Sequence, residues 1–207
     1  FGVKKKELVF HSHPGVNFLS MSATPIPRSL QLSLSNVRNL SLIQTPPLAR
    51  KPIISSMNYF SEELIKIVVL KEASRKGQVF FVDNSIPRLQ KLFFRCLELF
   101  PFLKIDILFG SLDSKKLINT MGSFVRGETQ VLLSTTIIES GIDVGTANTI
   151  IINNAHLFGL SQLYQLRGRV GRSALQAFAW FLIPKNKNIP LDGMKRLKTI
   201  VKYNALG

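Results

Sequence analysis

The sequence is short of several things, and each shortage excludes a class of protein. A single cysteine, Cys96, among 207 residues leaves no internal disulfide to form. No group of cysteines and histidines has the spacing of a metal site, which excludes a zinc-stapled module. No apolar run reaches the roughly 18 residues of a membrane-spanning helix. Internal repeats and low-complexity tracts are missing as well. Acid is scarce: 12 Asp and Glu face 27 Lys and Arg, so the formal net charge is +15. The opening residues, Phe1-Gly2-Val3-Lys4-Lys5-Lys6, contain no initiator Met and no signal-peptide core. They predict the interior of a longer protein, and the lone cysteine predicts a reducing, cytoplasmic setting.

What is present suffices for one sizeable core. The chain is 45% hydrophobic and 19% charged, the opposite of a disordered tail. Its positive charge is spread along the chain. It points to a phosphate-bearing partner, nucleotide or nucleic acid, without marking a site.

Residues 50–184 alternate short apolar runs with amphipathic stretches. The runs predict strands at 52–57, 78–82, 104–108, 130–134, 149–152 and 177–183. Ser61, with Glu62 and Glu63 behind it, predicts a helix start, and Gly77 a stop just past its end. Ser85 and Asp113 predict two more helix starts, and a further helix is expected over 161–169. Leu89, Leu92, Phe93 and Cys96 share one face, which makes Cys96 a core residue. This alternation predicts an α/β fold, a parallel sheet with helices on both faces. Residues 1–49 differ: one strand is expected over 16–21, followed by Ser22-Ala23-Thr24-Pro25-Ile26-Pro27-Arg28, with a linker near 44–51. One strand cannot build a sheet, so this segment is expected to be the tail of a preceding domain.

Three motifs carry chemistry. Gln165-Leu166-Arg167-Gly168-Arg169-Val170-Gly171-Arg172 interleaves three arginines with glycines. A helix end passing into such a turn aims several guanidinium forks at one anion. Ser134-Thr135-Thr136-Ile137-Ile138-Glu139-Ser140-Gly141-Ile142-Asp143 leaves a buried strand at its C-terminal end, where open parallel sheets place ligands. Thr135 and Thr136 offer hydroxyls and N–H groups to a phosphate; Asp143 can accept from a ribose hydroxyl or an arginine. Ser22-Ala23-Thr24 follows a strand and alone is an ordinary turn former.

In this order and spacing the motifs resemble the second half of a superfamily 2 helicase motor. Ser22-Ala23-Thr24 resembles motif III, the 78–82 strand with Asn84 motif IV, Thr135 to Asp143 motif V, and Gln165 to Arg172 motif VI. Within the superfamily the chain is most similar to the transcription-repair coupling factors, with the RecG branch-migration helicases as near relatives. Thr135-Thr136-Ile137-Ile138-Glu139-Ser140-Gly141-Ile142-Asp143 and Thr146-Ala147-Asn148-Thr149 lean toward the coupling factors.

The resemblance implies a RecA-like second lobe over 48–185, a remnant of the first lobe and linker over 1–47, and the start of a translocation-module helical hairpin over 186–207. It implies that Arg169 and Arg172 are arginine fingers on the ATP phosphates, with Gln165, Arg167, Gly141 and Asp143 at the ATP-binding lobe interface. Asn84, Thr135 and Thr136 would hold the nucleic-acid backbone, without sequence preference. Ser22, Ala23 and Thr24 would couple the two. ATP with Mg²⁺ is the implied cofactor and double-stranded DNA the implied partner; RNA polymerase and excision-repair proteins would engage other parts of a full-length protein. A stand-alone basic module that binds nucleic acid without ATP turnover is the alternative from another class. No Gly-x-x-x-x-Gly-Lys-Ser/Thr loop and no Asp-Glu box occurs, so this chain alone is expected not to hydrolyse ATP. Three positions depart from the family pattern: Phe109-Gly110 stands for His-Gly, Gly145 for proline, and Asn153-Asn154 for an acidic turn.

Overall fold

Three apolar runs become the interior of a sheet: Gln78–Val82 (β2), Val131–Ser134 (β4) and Ala147–Ile152 (β5) are buried at every residue, as strands covered on both faces must be. Ile54–Tyr59 (β1), Ile105–Leu108 (β3) and Phe178–Ile183 (β6) complete it. All neighbours are parallel, in the order β1-β6-β5-β2-β4-β3. The computed structural model describes residues 51–139, 144–186 and 188–203, with Ser12, Asn17, Leu19, Met21 and Ser41 described singly.

The chain divides into two compact units, 1–40 and 41–207. In the first, Ser12 is helical, while Asn17, Leu19 and Met21 lie outside regular structure. The strand expected over 16–21 is therefore not found at its described positions, and Leu19 and Met21 are exposed.

The second unit holds the sheet. Glu62–Ser74 (α1) and Ile86–Leu99 (α2) bring Ile65, Val68, Val69, Leu89 and Cys96 against Val79, Phe81, Val131 and Leu133. Ser114–Val125 (α3), Leu160–Arg167 (α4) and Leu191–Lys202 (α5) bring Phe124, Leu163, Leu166, Leu197 and Ile200 to a second cluster with Phe80, Leu132, Ile150 and Ile152. Successive residues of β2 thus enter different cores, because side chains alternate across a strand. Helices cover both faces, as the alternation predicts.

Local chemistry explains the boundaries. Ser61 Oγ accepts from Leu64 N at 3.1 Å and starts α1. Asp113 does the same for α3 through Lys115 N. Ser85 gives α2 no side-chain cap; its own N–H donates to Asp83 instead. At the end of α1 the left-handed position falls on Lys76 (φ 58°), not on Gly77. Gly77 is required for another reason: a Cβ there would lie 1.8 Å from the Glu72 carboxylate. β5 begins two residues earlier than the apolar run suggests, where Gln78 N–H donates to Thr146 O at 3.0 Å. α5, within the 186–207 segment that the resemblance assigns to the start of a helical hairpin, packs into the same core as α4, and Arg196 ties it down by donating to His156 O and Phe158 O.

Candidate functional site

The C-terminal edge of the sheet carries Asn84, Thr135 and Thr136. The β2-β4-β3 order makes their strands neighbours. Asp83 N–H donates to Ser134 O, and Thr135 N–H to Leu108 O, both at 3.1 Å, so the C-terminal ends of β2, β4 and β3 are stitched side by side. Thr135 and Thr136 are half-buried and Asn84 is exposed. Thr136–Glu139 is a 3₁₀ turn.

Beneath Asn84 lies an organiser the sequence reading missed. Asp83 is fully buried. Its carboxylate accepts from Ser85 N (2.8 Å), from Arg88 Nε and Nη2 (3.2 and 2.9 Å), and from the side-chain amides of Asn153 (2.8 Å) and Asn154 (3.4 Å). Arg88 Nη2 also donates to Asn84 Oδ1 at 2.6 Å, which holds that side chain in place. This accounts for the Asn153-Asn154 departure: both amides serve a buried acid on the neighbouring strand, where an acid at 153 would face a second carboxylate. Asn154 takes a left-handed conformation (φ 49°), which asparagine tolerates. An acid directly after a fully apolar strand was the available signal, since a buried carboxylate must find donors.

On the same side, between α1 and α2, a cleft of about 590 Å³ has Phe60, Ile65, Leu92 and Leu99 among its walls and Lys91 and Arg88 beside them. Cys96 also lines it, but burial pushes its thiol up to about 12, so it stays protonated and inert. Among the described residues no group of three His, Cys, Asp or Glu gathers to hold a metal.

The arginine motif lies at the opposite edge. α4 begins beyond the C-terminal end of β5, and the chain after it reaches the starts of β1 and β6. Gly171 marks the arrival: its φ is +77°, and a Cβ there would lie 3.1 Å from both Ala177 and Ile53. Gly168 has an ordinary helical conformation (φ −68°), so only one glycine of the motif supplies a special backbone geometry. Arg172 is exposed, and Arg169 and Gln165 are half-buried. Arg167 is different. It is buried, its guanidinium lies over the Tyr164 ring, and it donates to Ile200 O and Tyr203 O at 3.1 and 2.8 Å. Its side chain holds the last turn of α5.

Ser173 Oγ donates to Asn148 Oδ1 at 2.7 Å, which joins the arginine turn to the start of β5. The connection that leaves β4 at Thr135 on one edge therefore re-enters the sheet beside Arg172 on the other. Strands of four to six residues put these edges about 13–20 Å apart. Gly141 and Asp143 lie outside the described residues, as do Ser22, Ala23 and Thr24.

Similarity to known proteins agrees with this geometry. The family described as "Helicase conserved C-terminal domain" matches residues 60–174. The transcription-repair-coupling factors of Borreliella burgdorferi and Escherichia coli are 45% and 42% identical to the chain over all 207 residues, which span 18% of each relative. That of Helicobacter pylori is 44% identical, with 21% of its length covered. RecG bound to a three-way DNA junction is similar in structure, with a TM-score of 0.72 and 31% identity over 89% of this chain and 26% of that one. Dbp5 of S. cerevisiae, bound to RNA and ADP BeF3, shares the fold with a TM-score of 0.61 at 19% identity, over 89% of this chain and 48% of its own. With a parallel sheet covered on both faces, an arginine turn at one edge and the family match over 60–174 of 207 residues, the chain belongs to the helicase conserved C-terminal domain family and has its RecA-like α/β fold.

Proposed function

We propose that the chain is the second motor lobe of an ATP-dependent double-stranded-DNA translocase acting in transcription-coupled DNA repair. The observation that carries this reading is the division of the candidate residues between two edges of one sheet, joined by the β4–β5 connection. Thr135, Thr136 and Asn84 hold the DNA backbone at one edge. Arg169 and Arg172 face ATP at the other, with Gln165, Gly141 and Asp143 at the lobe interface, and Ser22-Ala23-Thr24 couples the two. The names of the bacterial relatives support the repair role, and the DNA junction bound by RecG supports DNA as the partner. Residues 1–47 are then the end of the first lobe, 48–185 the second lobe, and 186–207 the entry to the translocation module. RNA polymerase and excision-repair proteins engage other parts of the full-length protein, in the cytoplasm. A RecG-type branch-migration motor is the second reading, favoured by the structural likeness to RecG.

The residues in hand fit one flank of a triphosphate. An exposed arginine beside a left-handed glycine can approach an anion closely. No P-loop lysine is present, and no described acid cluster could hold Mg²⁺. Bound ATP supplies the phosphoryl group to be transferred; the chain's arginines neutralise the charge that develops on it. The test is steady-state ATPase of the full-length protein with duplex DNA. Arg172→Ala is expected to lower turnover roughly 10³-fold or more. Arg172→Lys is expected to rescue poorly, because an ammonium lacks the planar fork. Undiminished turnover in a folded Arg172→Ala protein removes the arginine from this role. Robust ATPase from the 207-residue chain by itself refutes the half-motor reading.

A further inference from the structure

The stretch that follows Arg172 is pinned twice, at Ser173 and at Gln176, and the pins lead to the exit of the motif V connection. On one side Ser173 Oγ donates to Asn148 Oδ1 at 2.7 Å and accepts from Leu175 N at 3.3 Å. Asn148 is buried, and its amide nitrogen donates to Thr146 O at 3.1 Å. One side-chain amide therefore holds the arginine turn with its oxygen and the 144–146 loop with its nitrogen. On the other side Arg75 Nη1 donates to Gln176 O at 2.9 Å, and Gln176 Nε2 donates to Pro52 O at 2.7 Å. Arg75 is itself held: Nη2 donates to the buried Glu72 carboxylate at 2.6 Å, and its guanidinium lies over the Phe178 ring. Glu72 closes the circuit by accepting from Thr149 Oγ1 at 2.6 Å, one residue beyond Asn148.

A surface turn needs none of this. Buried polar groups are costly unless paired, and a network of them fixes one geometry. Here four side chains, Glu72, Arg75, Asn148 and Ser173, converge on the four residues that follow one exposed arginine. We propose that they are positioning residues for Arg172, with Asn148 the joint through which the 144–146 loop and the arginine turn keep a fixed spacing. This rests on the reading of Arg172 as a phosphate-directed arginine. The mechanism is geometric: a charge delivered at the wrong distance neutralises little, and a misplacement of about 1 Å can cost about 100-fold in rate.

Ser173→Ala removes one pin from a partly exposed turn and leaves the core intact. In the full-length protein with duplex DNA it is expected to lower kcat for ATP about 10- to 100-fold, with KM held and the thermal midpoint lowered only by the loss of the one donor to buried Asn148 Oδ1. Ser173→Thr keeps the hydroxyl and is expected to restore kcat. Added to Arg172→Ala, Ser173→Ala is expected to cost nothing further, since there is no longer a guanidinium to position. An independent readout is amide hydrogen exchange: Ser173→Ala is expected to speed exchange at Arg172 and Leu175 while β5 stays protected. Wild-type kcat in Ser173→Ala, an additive double variant, or unchanged exchange in the turn overturns the proposal. Should Arg172→Ala turn over normally while Ser173→Ala loosens the turn, the pinning stands and the phosphate reading falls.

Discussion

Asp83 and Glu72 are both buried acids, set at the two ends of β2, and they are served very differently. Asp83, just past the strand, accepts from a backbone N–H, two nitrogens of Arg88 and two asparagine amides. Glu72, in the last turn of α1 before the strand, accepts side-chain bonds at one oxygen only, from Arg75 and Thr149. Its other oxygen is buried without a partner. The two edges of the sheet are thus held by different means. The edge with Asn84 and Thr135 is gathered around one saturated carboxylate. The edge with Arg172 is held by a chain of bonds passed from side chain to side chain through Glu72, Arg75, Asn148 and Ser173, and a buried acceptor in it goes unused.

Neutral isosteres break this comparison most directly. Asp83→Asn puts an NH2 against groups that are all donors, so at least one buried donor must lose its acceptor. Urea unfolding is expected to show a loss of about 3 kcal/mol. Asn153→Asp sets a second carboxylate beside the first and is expected to cost about 2 kcal/mol at neutral pH. The sign follows from linkage: repulsion raises the pKa of the introduced carboxyl in the folded state, so the penalty is present at neutral pH and shrinks as pH falls through that raised value. Unfolding midpoints measured between pH 7 and pH 4 are expected to converge on wild type. Glu72→Gln is expected to be the mildest, at about 1 kcal/mol, because its amide can take the place of the oxygen that accepts nothing. If Glu72→Gln costs more than Asp83→Asn, the two acids are not differently satisfied and the contrast fails.

The parts of the fold that sequence made legible are those governed by local rules. The run Gln78 to Val82 reads as a doubly covered strand because nothing in it is polar beyond its first residue, and β2 has those limits. Ser61 and Asp113 were legible as caps because their oxygens act within three residues. α5 was not legible as part of this core, because what seats it is distant: Arg167 reaches the carbonyls of Ile200 and Tyr203 across more than thirty residues of chain. The same holds at the candidate site. The arginine motif could be read from spacing, yet that Arg167 faces inward and Arg172 outward depends on where α5 lies. Gly77 shows the limit most plainly. Its place after a helix suggested a left-handed stop, but its missing side chain makes room for Glu72, an acid whose burial only the folded chain reveals.

The seat of Gly171 on Ile53 and Ala177 has a consequence for the order in which the protein becomes itself. Ile53 leads into β1, which pairs in the sheet with β6 alone, and the bond from Gln176 to Pro52 spans 124 residues of chain. Closing so long a loop costs entropy before any contact returns it, so pairings of this kind complete late. The floor under the arginine turn is accordingly among the last surfaces to exist. A molecule that has assembled its central strands but not yet docked its first one carries Arg172 without the surface beneath its turn, so the place of that side chain is settled only when the two distant ends of the sheet meet.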